Sequence, residues 1–331
     1  MGNKKPHHLF TGFMIIVKSP FRVSFFGGST DYKSFYEKHG SLLIGTTIDK
    51  YAYLCMKKRT SILPQENLLI YSQLEKASDI HEIKQPLIRN VLEFYNVENF
   101  IEFTSFSDIP YRTGLGGSSS YCVGMGYLIN QLNNLGLTRR EIAQNAILIE
   151  RGLMNEAGGI QDQIWATYGG LSSIKIEPSG DFRVKPLPST EDFKKLFHDS
   201  LVLIYTNHQR EEDEVARAHE NKDKKSILEM AHVAYQYFID EDIKKFGELM
   251  LESWYQKRNL SPLISSSSID EIIKDVIGKG AYGAKLLGSG GCGFVLAICD
   301  PSSKKKIKEA YAPVIMEFNL EEKGVTELYK K

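Results

Sequence analysis

The chain has 331 residues, 42% hydrophobic and 25% charged, with 41 Lys and Arg matched by 41 Asp and Glu. That composition is globular; it excludes a disordered, collagenous or coiled-coil chain and, at about 100–200 residues per domain, fits two domains. A formal net charge of zero gives no footprint for nucleic acid or an anionic membrane, and no apolar run reaches the ~18 residues a span needs, so neither partner is expected.

In chain order, residues 1–13 are polar and carry little apolar area, so they are expected to be dispensable. They also lack the apolar stretch of a secretory signal. Short runs rich in β-branched and aromatic residues predict strands at 14–19, 23–26, 51–56, 68–71 and 100–104. Apolar residues at helical period predict helices at about 86–95, 118–135, 139–155, 212–221, 225–238, 243–255, 268–277 and 302–311. Thr138 and Glu141 form a capping box ahead of the third of these. Strands dominate residues 14–110 and mix with helices afterwards, an α+β pattern rather than a repeating βαβ array. A Pro-rich region at 178–190 precedes a new strand at 201–205, so the expected division is 14–187 and 188–331. Cys55, Cys122, Cys292 and Cys299 form no CxxC pair and no Cys/His metal spacing, which points to a reducing, cytoplasmic setting. The histidines show no HxxxH or HExxH spacing.

Three segments are rich in glycine. In residues 19–32 a strand runs into a Gly27-Gly28 turn that presents Ser29, Thr30 and Asp31. Either these side chains face one ligand, or Asp31 caps a helix beginning at Tyr32. In residues 108–120, Gly114, Gly116 and Gly117 lead into Ser118, Ser119 and Ser120 and then an apolar helical run. A flexible loop opening into a helix leaves N–H groups unpaired at the positive end of the dipole, an arrangement that binds phosphate. The hydroxyls add donors and a Mg²⁺ ligand; the alternative is a serine-capped turn. No Lys follows the last glycine, so this is not a Walker A loop. Gly124 and Gly126 suggest a helix face packed close to its neighbour.

In the third segment, Gly288, Gly290 and Gly293 spell GxGxxG. The dinucleotide fingerprint needs a helix after the loop, whereas residues 294–299 read as a strand. A loop where backbone closes over a ligand fits better. Glu150, late in a helical run, and Asp162, beyond Gly158-Gly159, could serve as metal ligand and base; the alternative is a salt bridge and a loop cap. The charged stretch 210–225 reads as a solvated helix face, with Arg210 as a candidate to hold a substrate anion.

Together these segments resemble the three motifs of the GHMP small-molecule kinases (galactokinase, homoserine kinase, mevalonate kinase, phosphomevalonate kinase), over nearly the whole chain from Met14. Within that superfamily the chain most resembles the heptose 7-phosphate kinases, which phosphorylate the anomeric carbon of D-glycero-D-manno-heptose 7-phosphate. The resemblance rests on Pro-Phe-Arg-Val-Ser-Phe-Phe-Gly-Gly-Ser-Thr-Asp ending at Asp31, Thr-Ile-Asp-Lys-Tyr ending at Tyr51, Ser-Asp-Ile-Pro ending at Pro110, Gly-Gly-Ile-Gln-Asp-Gln ending at Gln163, Tyr-Gly-Gly ending at Gly170, and Ala-Tyr-Gly-Ala-Lys ending at Lys285.

It implies an N-terminal half like domain 2 of ribosomal protein S5 and a ferredoxin-like C-terminal half, with ATP and substrate between them. Gly114, Gly116, Gly117, Ser118 and Ser119 would wrap the ATP phosphates, and Ser118 and Glu150 would ligate Mg²⁺. Asp162 would be the base or charge stabiliser at the attacking hydroxyl, facing Arg22. Asp31 would hold sugar hydroxyls, and Gly290 and Gly291 would line the site. A sugar or sugar phosphate is the expected partner, and a homodimer is left open. The first motif lacks the Glu-His of galactokinase, which argues against plain galactose. Gly117 stands where many members have Ser, and Ser289 and Cys292 where Ala and Gly are usual. The alternatives are a kinase of free fucose or galactose and a non-catalytic sugar and ATP sensor.

Overall fold

The computed structural model describes residues 14–60, 62–98, 100–207 and 212–331. The expectations for residues 1–13 and for Arg210 fall outside these described residues. The first half builds β1 (Met14–Phe26), α1 (Lys33–His39), β2 (Ser41–Lys58), β3 (Asn67–Ile70), β4 (Leu74–Ala77), α2 (Pro86–Phe94), β5 (Ile101–Ser107), α3 (Gly117–Asn133), α4 (Arg139–Ile147), α5 (Gln161–Tyr168), β6 (Ser172–Ile176) and β7 (Phe182–Pro186). The second half builds α6 (Glu191–Asp199), β8 (Leu201–Tyr205), α7 (Glu212–His219), α8 (Lys225–Ile239), α9 (Ile243–Arg258), α10 (Ser267–Gly278), β9 (Ala281–Leu286), β10 (Phe294–Cys299), α11 (Pro301–Ala310), β11 (Ile315–Met316), β12 (Leu320–Glu321) and β13 (Thr326–Lys330).

The strands expected at 14–19 and 23–26 are one strand. β1 pairs antiparallel with β2 along its whole length, and the register shifts between Pro20 and Phe21. Proline has no N–H to give a ladder, so the pairing slips there instead of ending. In the nine-stranded sheet the main path runs β13-β1-β2-β5-β3-β4; β6 and β12 also pair with β2, and β7 pairs with β6. β12 and β13 come from the C-terminal tail, so the chain returns to its first sheet. The second sheet is four-stranded and antiparallel, in the order β11-β8-β10-β9.

α3 lies on β1 and β2. A Cβ at Gly124 would come within 2.6 Å of Leu54 Cδ1, so glycine there allows the close approach expected from the sequence. An aromatic cluster joins the halves: Phe25 and Phe26 of β1 meet Phe197 of α6 and Phe246 of α9 edge-on, at centroid distances of 4.9–5.9 Å. Burying each such ring is worth about 1.5–3 kcal/mol. This shared core joins the halves beside the cleft, which is lined by β1, α5, α7, α9, β9 and the loop after β9.

Candidate active site

The Gly114–Ser119 segment turns the chain from β5 into α3. Gly114 (φ 75°) and Gly116 (φ 77°) are left-handed, a region that a side chain resists. Gly116 is the N-cap of α3, and the first intrahelical bond runs from Ser120 N to Gly116 O. The N–H groups of Gly117, Ser118 and Ser119 therefore precede the ladder at the positive end of a 17-residue helix. The Ser119 and Ser120 side chains are buried, and Ser120 Oγ donates to Pro20 O at 2.7 Å. Ser119 thus has only its backbone N–H to offer a ligand. Ser118 is exposed.

Ser118 Oγ donates to Glu150 Oε1 at 2.8 Å, and Gln163 Nε2 donates to Glu150 Oε2 at 2.6 Å. Glu150 is wholly buried. The helix expected over 139–155 stops at Ile147, and Leu148–Leu153 form a π-helical turn that carries Glu150. The wider turn rotates Glu150 inward, while Leu148 and Leu153 are left exposed. The described residues hold no group of three or more His, Cys, Asp or Glu suited to a metal. One carboxylate and one hydroxyl fit Mg²⁺, which keeps water and substrate phosphate as its other ligands.

Asp162 lies in the first turn of α5, just beyond the Gly158-Gly159 pair. Arg22 of β1 grips it with both arms, Nε to Oδ1 at 2.8 Å and Nη2 to Oδ2 at 2.7 Å. Arg22 Nη1 also donates to Gly114 O at 2.5 Å. The Arg22 side chain is 6% exposed and that of Asp162 is 19% exposed. A Cβ at Gly116 would lie 3.2 Å from Arg22 Cγ and 3.3 Å from Asp162 Oδ2. The glycine loop therefore passes directly over the ion pair.

Asp31 departs from expectation. Its side chain is wholly buried behind the cleft wall. Its carboxyl accepts N–H bonds from Ser29 N (3.1 Å), Gln161 N (3.0 Å) and Gln161 Nε2 (3.2 Å). Asp31 thus caps α5, 130 residues away in sequence, rather than α1 or a sugar. Gly159 is required beside it, since a Cβ there would fall 1.8 Å from Asp31 Oδ2. Burial pushes the Asp31 carboxyl above the usual range, against the pull of these amide bonds.

The third motif is also corrected. Gly288 and Ser289 line the cleft. Gly290 and Gly291 pack on Ile264 instead: Gly291 N donates to Ile264 O at 2.9 Å, and a Cβ at Gly290 would lie 2.8 Å from Ile264 Cα.

The cleft spans about 650 Å³ of empty space, part of it open solvent. Beyond the residues already named, Arg151, Lys257 and Lys285 line it, none of which the motifs had placed there. Lys285 Nζ donates to Phe25 O at 2.8 Å, tying β9 to β1. Burial, with Lys257 and Arg22 close by, holds its ammonium well below the usual lysine range. The signal in the sequence was a lysine inside an otherwise apolar strand. Among the described lining residues, Arg22, Arg151, Lys257 and Lys285 face Asp162 as the single carboxylate. That charge, beside a helix N-terminus, suits a polyphosphate.

Comparison with known proteins agrees with this geometry. Residues 83–170 match the GHMP kinases N terminal domain, and residues 234–313 match the GHMP kinases C terminal family. The D-glycero-alpha-D-manno-heptose 7-phosphate kinase of Campylobacter jejuni subsp. jejuni is 28% identical over 332 residues, covering 94% of this chain and 98% of that protein. The mevalonate kinase of Methanocaldococcus jannaschii is 30% identical over 227 residues, covering 66% and 69%. A crystal structure of a D-glycero-D-manno-heptose 1-phosphate kinase from "Bacteriodes thetaiotaomicron" superposes with a TM-score of 0.79 over 95% of this chain and 99% of that one. At 22% identity that likeness is one of fold. By its two matched domains, its fold and its alcohol-phosphorylating relatives, the chain belongs to the GHMP kinases.

Proposed function

We propose that the chain is an ATP- and Mg²⁺-dependent sugar kinase that phosphorylates the anomeric hydroxyl of D-glycero-D-manno-heptose 7-phosphate. The observation that carries this reading is the Arg22–Asp162 ion pair, set under a glycine loop at the N-terminus of α3. Heptose as acceptor is supported by the relative that matches over nearly its full length. The missing Glu-His in the first motif argues against galactose.

Phosphoryl transfer depends mostly on positioning and charge stabilisation. In this reading the N–H groups of Gly117, Ser118 and Ser119 hold the phosphates, with Gly114 and Gly116 giving the loop its shape. Ser118 and Glu150 would hold Mg²⁺, which when bound would supply positive charge to neutralise the phosphates. Asp162 accepts a hydrogen bond from the attacking hydroxyl and fixes its direction, while Arg22 locks the carboxylate in place. Arg210 remains our candidate for the acceptor's own phosphate, and 14–187 with 188–331 our division of the chain.

A panel of hexoses, heptoses and their phosphates, each with ATP and Mg²⁺, tests the proposal. It expects the highest kcat/KM for the heptose 7-phosphate, with the new phosphate at C1. Preference for free galactose or fucose would replace the substrate, and ATP binding without turnover on any sugar would favour a sensor.

A further inference from the structure

Ser29 and Tyr32 are both buried residues that line the cleft. Ser29 has φ 77°, a left-handed conformation that a serine adopts only under constraint. Its N–H is fixed by Asp31 at 3.1 Å. Behind both residues lies His219, the last residue of α7, wholly buried. Its Nδ1 is 2.7 Å from Val215 O. A carbonyl can only accept, so Nδ1 carries the proton and Nε2 offers a lone pair. Nε2 lies 3.3 Å from Ser29 Oγ and 3.3 Å from Tyr32 OH. The imidazole stacks on the Tyr32 ring at 5.5 Å, and Lys224 Nζ sits 4.8 Å from the centre of the same ring.

A lone pair facing two hydroxyls decides where their protons point. We propose that His219 is a positioning residue for the acceptor: its Nε2 draws the Ser29 and Tyr32 hydroxyl protons away from the cleft, so that both oxygens present lone pairs to hydroxyl protons of the bound sugar. The inference rests on the kinase reading for the identity of the ligand, but the tautomer does not. It gives the second half of the chain a part in acceptor recognition, since His219 of α7 contacts Ser29 and Tyr32 of the first motif. Ser34 Oγ to Glu220 O at 3.1 Å and Arg217 Nη2 to Asn155 O at 2.7 Å hold the same helix end against the first half.

Two measurements test it. Nitrogen-15 spectra of the imidazole in the ligand-free protein at pH 7 should show the Nδ1–H tautomer; an Nε2–H tautomer or an imidazolium would overturn the proposal whatever the substrate. In kinetics with D-glycero-D-manno-heptose 7-phosphate, His219→Leu should raise the acceptor KM roughly tenfold, the loss of about one hydrogen bond, with the ATP KM within about twofold. His219→Gln, whose amide oxygen can take the place of Nε2, should restore most of that loss. Tyr32→Phe should raise the acceptor KM in the wild-type background and add little to His219→Leu. Equal KM changes for ATP and acceptor, no rescue by Gln, or full additivity with Tyr32→Phe would each show a merely structural histidine.

Discussion

The Gly114–Ser119 and Gly288–Gly293 loops are both rich in glycine, with three and four in six residues, yet they use it for opposite ends. The first opens into α3, so its backbone N–H groups stay outside the helical ladder. The second joins two antiparallel strands, β9 and β10, and its glycines permit backbone to lie on backbone. A Cβ at Gly288 would fall 2.4 Å from Gly114 Cα, and one at Gly293 would fall 2.2 Å from Thr113 O. One loop presents backbone N–H groups, and the other packs against that loop while its Gly288 and Ser289 line the cleft. Glycine content did not separate the two roles; the element that follows each loop did.

The comparison can be broken most severely at Gly293. Its φ is 102° and it has no room for a side chain, so Gly293→Val should cost about 3 kcal/mol or more in strain and overpacking. Thermal unfolding should show a large fall in Tm, and an unchanged Tm would mean that the loops do not depend on this contact. Gly116→Ala should behave differently. Its Cβ presses on Arg22 and Asp162 rather than on backbone, so the variant should fold yet lose about 10- to 100-fold in turnover, the scale of a small misplacement at the chemistry. Activity near wild type would separate the loop from the ion pair.

The first glycine-rich turn lies between these cases, because it is held from behind by a titratable group. Burial, with Lys257 and Lys224 nearby, pushes the His219 imidazolium down to about 4, while the Val215 carbonyl pulls the other way. Tyr32 faces the ring and Asp31 lies beyond it. A depressed folded-state pKa contributes stability above the unfolded value of about 6.5 that is lost as pH falls towards about 4. Stability against urea should therefore fall between pH 7 and 5, and fall less in His219→Gln. Equal pH dependence in both proteins would remove His219 as the source. The smallest effect is expected at Gly28. A Cβ there would make ordinary contacts of 3.6 Å with Ser24 Oγ and 3.7 Å with Gln161 Nε2. Gly28→Ala should change stability by no more than about 0.5 kcal/mol, visible only as a small shift in acceptor KM.

Local chemistry made much of the molecule legible. The Thr138–Glu141 box, the α2 span, the start of α3 and the strand after Gly293 all form as their residues suggest. What the sequence hid depends on distant partners. Asp31 read as a ligand or a local cap because its partner Gln161 lies far along the chain. The π-turn that turns Glu150 inward contains Gly152 but no proline, and one glycine in a helical run does not by itself mark such a turn. β13 is a short and mostly exposed strand that exists through its pairing with β1. Lys257 and Lys285 reach the cleft only once α9 and β9 are folded against the first half.

The most direct test of the account is Asp162→Asn, measured as turnover at saturating ATP and acceptor alongside nucleotide binding by calorimetry. An amide of the same shape keeps one acceptor oxygen but loses the charge that pairs with Arg22 and orients the hydroxyl. The account predicts normal folding, ATP affinity within a few-fold, and turnover lower by about 10²- to 10⁴-fold. Turnover above about a tenth of wild type would make Asp162 a cap for α5 and contradict the proposed site.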